Sequence, residues 1–194
     1  PRAKFVHIPH PIDARAWQLA PDDAGYVAYI GRLSEEKGLK VLVAAARLTP
    51  KIKYKLIGTG EQEAELRALS ADLSNIEFCG FKSGAELRGL IAEARLLVLP
   101  AVWYENYPIS VLEAKAMGKI MIASRIGGLP ELLPDELLFK PGEPALLAEL
   151  VQRWYTASPA ARHEVGLGLR RQVEQVNDPH RHLAAITALY ESLV

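Results

Sequence analysis

Residues 26–48, YVAYIGRLSEEKGLKVLVAAARL, hold the pattern that decides the fold: an apolar run, a charged loop between two glycines, and an amphipathic helix. The apolar run is continuous rather than alternating, which is typical of a strand covered on both faces. After the loop, apolar residues follow the i, i+3, i+4, i+7 spacing of one helix face at Leu39, Leu42, Val43 and Ala46. This order of strand, loop and helix predicts the start of a right-handed βαβ unit.

The same alternation of strand and helix continues along the chain. Ser83 and Glu86 have the spacing of a capping box before the helix that follows the third strand. Beyond the sixth strand the pattern is helical only. We therefore predict an α/β fold class: a Rossmann-like, doubly wound parallel sheet of about six strands, with helices on both faces and a helical C-terminal tail. The further strands are expected at 54–57, 76–78, 96–99 and 120–123, with a short one near 137–139.

Composition and charge narrow the class of protein. The chain has 194 residues, which suits one domain with a substantial core. Basic and acidic side chains both number 23, so no basic surplus predicts binding to nucleic acid. The single cysteine, Cys79, excludes an internal disulfide and a cysteine-built zinc site. No apolar run reaches the roughly 20 residues of a membrane span and no signal-peptide pattern is present, so we expect a cytoplasmic location.

The domain organisation is predicted from the distribution of proline. Residues 1–20 are rich in proline and are interpreted as a linker that enters the domain, which is expected to span residues 21–194. The chain begins at Pro1 rather than at a methionine, and we expect that it is part of a longer protein.

The loop GRLSEEKG, residues 31–38, follows the first predicted strand. Sheets of this class bind ligands outside the carboxyl ends of their strands. Arg32 and Lys37 are two cations on this loop and would suit a diphosphate, with Gly31 allowing close backbone approach. The alternative is that both cations pair with the neighbouring glutamates of a solvated loop.

Two glycine-containing loops follow other strands. GTGEQEAEL, residues 58–66, lacks the third glycine of a dinucleotide fingerprint, so it is interpreted as a tight turn that lines the site. SRIGGLPELL, residues 124–133, contains Gly127 and Gly128, a turn that excludes bulky side chains where a ligand would approach. The Walker lysine motif is absent, which argues against a phosphate-loop ATPase.

The stretch ENYPISVLEAKAMG, residues 105–118, follows the fourth strand. Pro108 is expected at the first helical position, where its missing N–H costs nothing. The amides around this helix start would bind an anion, aided by the helix dipole. Glu113 could accept hydrogen bonds from a vicinal diol such as a ribose, and Glu105 would lie beyond the phosphates. The alternative is that both glutamates are surface charges near a helix start.

Taken together and in this order, the four loops resemble those of the retaining GT-B glycosyltransferases of family 4, also called group 1. The resemblance extends over about residues 26–142, and its central motif, two glutamates separated by seven residues, matches Glu105 and Glu113. The resemblance implies that Arg32 and Lys37 hold the diphosphate of a nucleotide-sugar and stabilise the leaving phosphate. It also implies that Glu113 binds the ribose and that Glu105 contacts the transferred sugar.

The resemblance implies further donor contacts. The loop after the third strand, with Gly80, Phe81 and Lys82, would hold the base. The backbone of 106–109 would meet the distal phosphate or the sugar. Many relatives have Gly-Phe-Gly after the first glutamate, whereas this chain has another sequence, so the sugar preference stays open. The residues of this chain at the helix start are Asn106, Tyr107, Pro108 and Ile109.

The resemblance also implies that this chain is one half of an enzyme. Relatives have an N-terminal acceptor domain and a C-terminal donor domain, and the chain matches the second. We therefore expect a partner domain in the same parent chain, a UDP-, GDP- or ADP-sugar donor, no metal and no further cofactor, and little transfer by this half alone. A peripheral position of the parent at the inner membrane face stays open. Two other interpretations remain: a nicotinamide dehydrogenase, and a noncatalytic nucleotide-sugar-binding or assembly module.

Overall fold

The computed structural model describes residues 5–20 and 22–193, and its centre is one parallel sheet of six strands in the order β3-β2-β1-β4-β5-β6. Every strand pairing is parallel. The predicted α/β class and strand number are confirmed. The strands are β1 (Tyr26–Ile30), β2 (Lys53–Ile57), β3 (Ile76–Gly80), β4 (Ala94–Leu99), β5 (Met121–Ser124) and β6 (Leu138–Phe139).

Helices cover both faces of the sheet and form the predicted helical tail. The first helix packs on the second and the sixth, whereas the fourth packs on the seventh and the third lies against β1 and β4. None of the helices in the described ranges has the length and apolarity that a membrane span requires. The helices are α1 (Leu39–Leu48), α2 (Glu63–Leu69), α3 (Gly84–Glu93), α4 (Ile109–Ala116), α5 (Leu129–Leu132), α6 (Pro144–Thr156), α7 (Pro159–Val176) and α8 (Pro179–Glu191).

The centre of the core is formed by β1 and β4. Val27, Ala28 and Tyr29 of β1 are fully buried, as are Leu96 and Leu97 of β4. Because helices cover both faces at these strands, side chains pointing either way leave water, and the sequence is continuously apolar for that reason. The strand order also reverses between β1 and β4, so the chain leaves these neighbours in opposite directions and opens a crevice at their carboxyl ends.

Two details of the predicted helix starts are wrong. Pro108 is the residue before α4 rather than its first residue, since its ψ of 125° is extended. The hydroxyl of Ser83 makes no capping hydrogen bond at the start of α3, and Glu86 instead accepts a hydrogen bond from Lys82. The predicted capping box is therefore not formed, because Glu86 pairs with Lys82, which precedes the helix.

The N-terminal segment, residues 5–20, is irregular apart from one 3-10 turn, as its prolines predict, but it is docked on the domain. The amide of Ile12 donates to the Asn177 carbonyl at 2.8 Å, and Arg170 of α7 donates to the Trp17 carbonyl at 2.6 Å. Ala14 is buried in the core. The predicted linker thus behaves as a packed strap over α7 in the part that is described; residues 1–4, Pro21 and Val194, at the edges of the predicted boundaries, lie outside the described residues.

Candidate functional site

Three loops at the carboxyl edge of the sheet are joined by backbone hydrogen bonds. They follow β1, β2 and β4, and they include residues 31–38, 58–62 and 100–108. The amide of Leu33 donates to the Thr59 carbonyl at 2.9 Å, which joins the first loop to the second. The amide of Val102 donates to the Glu36 carbonyl at 2.9 Å, which joins the first loop to the third. The site is therefore built on a braced set of loops.

Glycines permit the close approach of these loops. A Cβ added at Gly58 would lie 1.9 Å from the Gly31 carbonyl oxygen, and one at Gly38 would lie 2.0 Å from the Pro100 carbonyl oxygen. Gly38 also has a left-handed φ of 68°, which disfavours any side chain. The close backbone approach that was expected at Gly31 is thus present, and in the structure it is to the backbone at Gly58.

Lys37 and Glu105 form a part-buried ion pair at the crevice. Their Nζ and Oε1 atoms are 2.5 Å apart, and their side chains are only 21 % and 13 % exposed. The two residues are 68 positions apart in sequence, and the fold places them side by side because β1 and β4 are neighbours. The sequence predicted both as site residues, but it did not predict that they contact each other.

Arg32 is paired differently. Its guanidinium donates to the Glu36 carboxylate at 2.7 Å, so the alternative interpretation, pairing within the loop, describes this contact correctly. The Arg32 side chain is nevertheless 67 % exposed, which leaves most of its donors open to a ligand. A hydrogen bond from the Ser34 hydroxyl is the main cause that lowers the pKa of Glu36 below its ordinary value. A hydrogen bond from the backbone amide of Glu36 and, less strongly, the charge of Arg32 act in the same direction. Sequence reasoning missed Ser34, because its contact with Glu36 depends on the loop's three-dimensional path.

The start of α4 has the features that anion binding requires. Within the described ranges, the amides of Asn106, Tyr107, Ile109 and Ser110 donate to no protein acceptor. Such free amides at a helix N-terminus, together with the helix dipole, favour a negative group. The phenol of Tyr107 points elsewhere, since its oxygen accepts a hydrogen bond from the Asn177 side chain at 2.8 Å. Tyr107 therefore offers its backbone to this position, while its ring anchors the loop to the end of α7.

The turn at Gly127 and Gly128 supports the loop that contains Glu105. The amide of Gly128 donates to the Glu105 carbonyl at 2.7 Å. A Cβ at Gly127 would lie 2.4 Å from that same carbonyl oxygen, and one at Gly128 would lie 2.1 Å from the Asn106 carbonyl oxygen. The backbone of residues 105 and 106 thus fills the space beside these glycines, whereas the sequence pattern predicted a ligand in that space.

Glu113 is half-buried on α4. Burial raises the pKa of this carboxyl, and the positive charge of Arg88 opposes that effect without cancelling it. A carboxylate that is held out of water without full compensation costs stability, and such groups are common at functional sites.

A pH dependence follows from this raised pKa. The folded state holds the Glu113 proton more tightly than the unfolded state. The free-energy cost of the ionised carboxylate is therefore absent below the ordinary pKa of about 4.5 and grows as the pH rises through the raised value. Glu113→Gln should therefore unfold at higher urea concentration than the wild type at pH 7.5, with the difference shrinking at pH 4. Glu149→Gln, at an exposed position of α6, is the control and should change neither midpoint. Equal midpoints for Glu113→Gln and wild type at pH 7.5 would contradict the prediction.

The loop after β3 forms one wall of a cleft of about 410 Å³ beside Arg32. Phe81 is 73 % exposed there. Gly80 itself supports the wall, since its carbonyl accepts from the Gly58 amide at 2.8 Å and its φ of 68° turns the chain. The residues that line the cleft are Ile30, Gly31, Arg32, Ile57, Gly58, Thr59, Phe81, Lys82 and Leu87. Phe81 and Lys82, which were predicted to hold the base of the nucleotide, thus lie in the same cleft as Arg32, which was predicted to bind the diphosphate.

Lys115 is a buried lysine that the sequence did not single out. It is 1 % exposed, and its ammonium donates to the Leu132 carbonyl and to the Gln172 side chain, both at 2.8 Å. Burial lowers its pKa to about 8. Through these bonds it fixes α4 against α5 and α7, so the helix that carries Glu113 is held from behind. Its position on the buried face, two residues after Glu113, was the available signal.

The fold is a Rossmann-like α/β domain with a crevice at the carboxyl edge of its sheet, and comparison with known proteins shows the family to which it belongs. The family model described as glycosyl transferases group 1 matches residues 13–166, and the chain belongs to this family. Among relatives, the amylovoran biosynthesis glycosyltransferase AmsK of Erwinia amylovora is 31 % identical over 176 residues, which is 81 % of this chain and 43 % of the relative.

Solved structures show the same fold. Sucrose-phosphate synthase from Thermosynechococcus elongatus is 31 % identical with a TM-score of 0.77, and the match covers 95 % of this chain and 49 % of that one. Anabaena HepE in complex with UDP and glucose has a TM-score of 0.84 at 22 % identity, over 94 % of this chain and 55 % of that one. The chain thus spans about half the length of these proteins.

Proposed function

We propose that this chain is the donor-binding domain of a retaining family 4 glycosyltransferase, which transfers a sugar from a nucleotide-diphosphate sugar to an acceptor hydroxyl. The observation that carries the proposal is the ion pair of Lys37 and Glu105 at the start of α4, beside the exposed Arg32. Both cations are paired with carboxylates, but Arg32 keeps exposed N–H donors, and together with the free amides at the helix start these suit a diphosphate. Membership of the group 1 family and the complex of a protein of the same fold with UDP and glucose support this assignment.

In this proposal the leaving diphosphate lies between Arg32, Lys37 and the free amides at the start of α4, which belong to Asn106, Tyr107, Ile109 and Ser110. Negative charge grows on the leaving oxygen during transfer, and donors that are already in place stabilise it without reorganisation. Glu105 keeps Lys37 oriented and reaches the transferred sugar. Glu113, half-buried on α4, accepts from the ribose hydroxyls. Because side-chain cations compensate the diphosphate, we propose that binding requires no metal.

The base of the nucleotide is placed in the cleft beside Arg32. Phe81 and Lys82 form the wall on the β3 side with Gly80 behind them as support, and the exposed ring of Phe81 offers a stacking surface. Gly31 lets the backbone approach the donor between this cleft and the phosphates. We further propose that the acceptor is bound by an N-terminal domain of the same parent chain, since the relatives are about twice as long. A cytoplasmic location, with a peripheral position of the parent at the inner membrane face, belongs to the same proposal.

Arg32→Ala is the test of the donor site. Titration calorimetry with UDP, GDP, ADP and dTDP, with EDTA present throughout, should show saturable binding of at least one of them. The variant should weaken that binding roughly 10- to 100-fold, because a charge-assisted hydrogen bond is worth about 1.5–3 kcal/mol.

The matched control is Arg15→Ala. Arg15 is also an exposed arginine paired with an acidic side chain, Asp13, but it lies in the N-terminal segment. Its removal should leave nucleotide affinity unchanged. Absence of binding for all four nucleotides, or equal affinities for wild type and Arg32→Ala, would overturn the proposed function.

A further inference from the structure

The carboxylate of Glu36 is held by two donors on its own loop. Its Oε1 atom accepts from the Arg32 guanidinium at 2.7 Å and from the Ser34 hydroxyl at 2.6 Å. Ser34 is fully buried, so its hydroxyl is a fixed point of the fold. The carboxylate is therefore anchored to the core side of the loop while it holds the exposed arginine on the solvent side.

The backbone of Glu36 is also a bridge to the loop after β4. Its carbonyl accepts from the Val102 amide at 2.9 Å and from the Trp103 amide at 3.3 Å. These residues lead directly into Glu105, the partner of Lys37. One residue thus connects Arg32, through its side chain, with the loop that carries Glu105, through its backbone.

The geometry points to Glu36 as a positioning residue of the donor site: its carboxylate sets the direction of the Arg32 guanidinium toward the diphosphate. The inference rests on the proposed function and goes beyond it, since the proposed function assigns no role to Glu36. Arginine has five donors in a planar fork, so one N–H can remain on Glu36 while others bind phosphate. Pairing with a fixed carboxylate also reduces the rotamer freedom that the long side chain would lose on binding.

A simpler role for Glu36 predicts the opposite result. If its carboxylate were only a negative charge beside an anion site, its removal would strengthen the attraction of a diphosphate. If it positions Arg32, removal weakens diphosphate binding although the site becomes more positive. The sign of the change therefore separates the two roles.

The experiment measures nucleotide affinity for Glu36→Gln and Glu35→Gln in the same calorimetric assay. Both substitutions remove one negative charge from adjacent residues, and the Glu35 side chain makes no hydrogen bond or ion pair to the described residues. The probes are UDP and UMP, or GDP and GMP if the wild type binds guanine nucleotides. Arg32 acts on the diphosphate, so Glu36→Gln should weaken diphosphate binding about tenfold and monophosphate binding far less. Glu35→Gln should leave diphosphate binding equal or tighter.

Ser34→Ala is the second variant, because it frees the Glu36 carboxylate from the core while keeping its charge. It should weaken diphosphate binding in the same direction as Glu36→Gln. Unchanged or tighter diphosphate binding by Glu36→Gln would overturn the inference, and so would equal losses for diphosphate and monophosphate, which indicate only a loosened loop. A wild type that binds no nucleotide would instead overturn the proposed function, and this inference with it.

Discussion

Gly128→Ala is expected to destabilise the protein and to displace the loop that carries Glu105. The added Cβ would lie 2.1 Å from the Asn106 carbonyl oxygen, a distance at which one of the two backbones must move. The φ of Gly128 is −82°, an ordinary value for alanine, so the clash alone is responsible. Overpacking of this kind costs about 1–3 kcal/mol, and a site displaced by roughly 1 Å can lose about 100-fold in function.

The measurements for this variant are urea unfolding and titration with the nucleoside diphosphate that the wild type binds. Gly89→Ala on α3 is the matched control, because a Cβ there meets nothing within 4 Å. Alanine in an exposed helix should stabilise by about 0.5–1 kcal/mol and leave binding unchanged. Wild-type stability and affinity in Gly128→Ala would show that the two loops are not in the contact described.

Asp23→Ala should lower the free energy of unfolding by about 3 kcal/mol or more at pH 7, because it leaves two arginines without their counter-charge. Asp23 accepts from Arg95 at 2.7 Å and from Arg162 at 3.2 Å, and its side chain is 9 % exposed. These contacts join the residues before β1 to β4 and to α7. Lys119 lies beside the same cluster, and burial lowers its pKa to about 8 although the charge of Asp23 opposes that effect.

The pH dependence of the Asp23 contribution has a definite sign. Burial would raise the pKa of this carboxyl, but hydrogen bonds from Arg95 and Gly25 and the charge of Arg162 lower it below 3.8. Stability from Asp23 is therefore complete above about pH 4 and is lost as the pH falls through the lowered value.

Urea unfolding at pH 7 and pH 3 measures both the size and the pH dependence of this effect. Asp72→Ala is the control, because Asp72 also accepts from an arginine, Arg47, but on the surface, where such pairs contribute little. Equal effects of the two substitutions at pH 7 would contradict the prediction.

The first half of the sheet was the most predictable part of the fold. The apolar run at Tyr26–Ile30 coincides with β1, and the helix pattern from Leu39 coincides with α1. The strand is continuously apolar because it is buried on both faces, and the helix has periodic apolar residues because one of its faces is buried. Both kinds of burial can be recognised in the sequence. The start of α3 was less well predicted, because the competing contact between Lys82 and Glu86 depends on the path of the preceding loop.

The candidate site was predicted in its residues but not in its contacts. Arg32, Lys37, Glu105 and Glu113 were singled out from loops that follow parallel strands, and all four lie at or near the carboxyl edge of the sheet. The sequence did not show that Lys37 pairs with Glu105, and it offered the pairing of Arg32 with a neighbouring glutamate only as an alternative. It also assigned the space at Gly128 to a ligand, where the structure places the Asn106 carbonyl.

The sequence by itself determined the class of the fold, the order of its strands and helices along the chain, and the family, because these depend on periodicity and on short motifs. Only the tertiary structure decided which cation meets which carboxylate. That choice depends on the reversal of strand order between β1 and β4, which brings together residues 68 positions apart, and on glycines that let two backbones approach to contact distance. The strand order and the close approach of the backbones produce no periodic pattern in the sequence, because both are relations between segments that are distant along the chain.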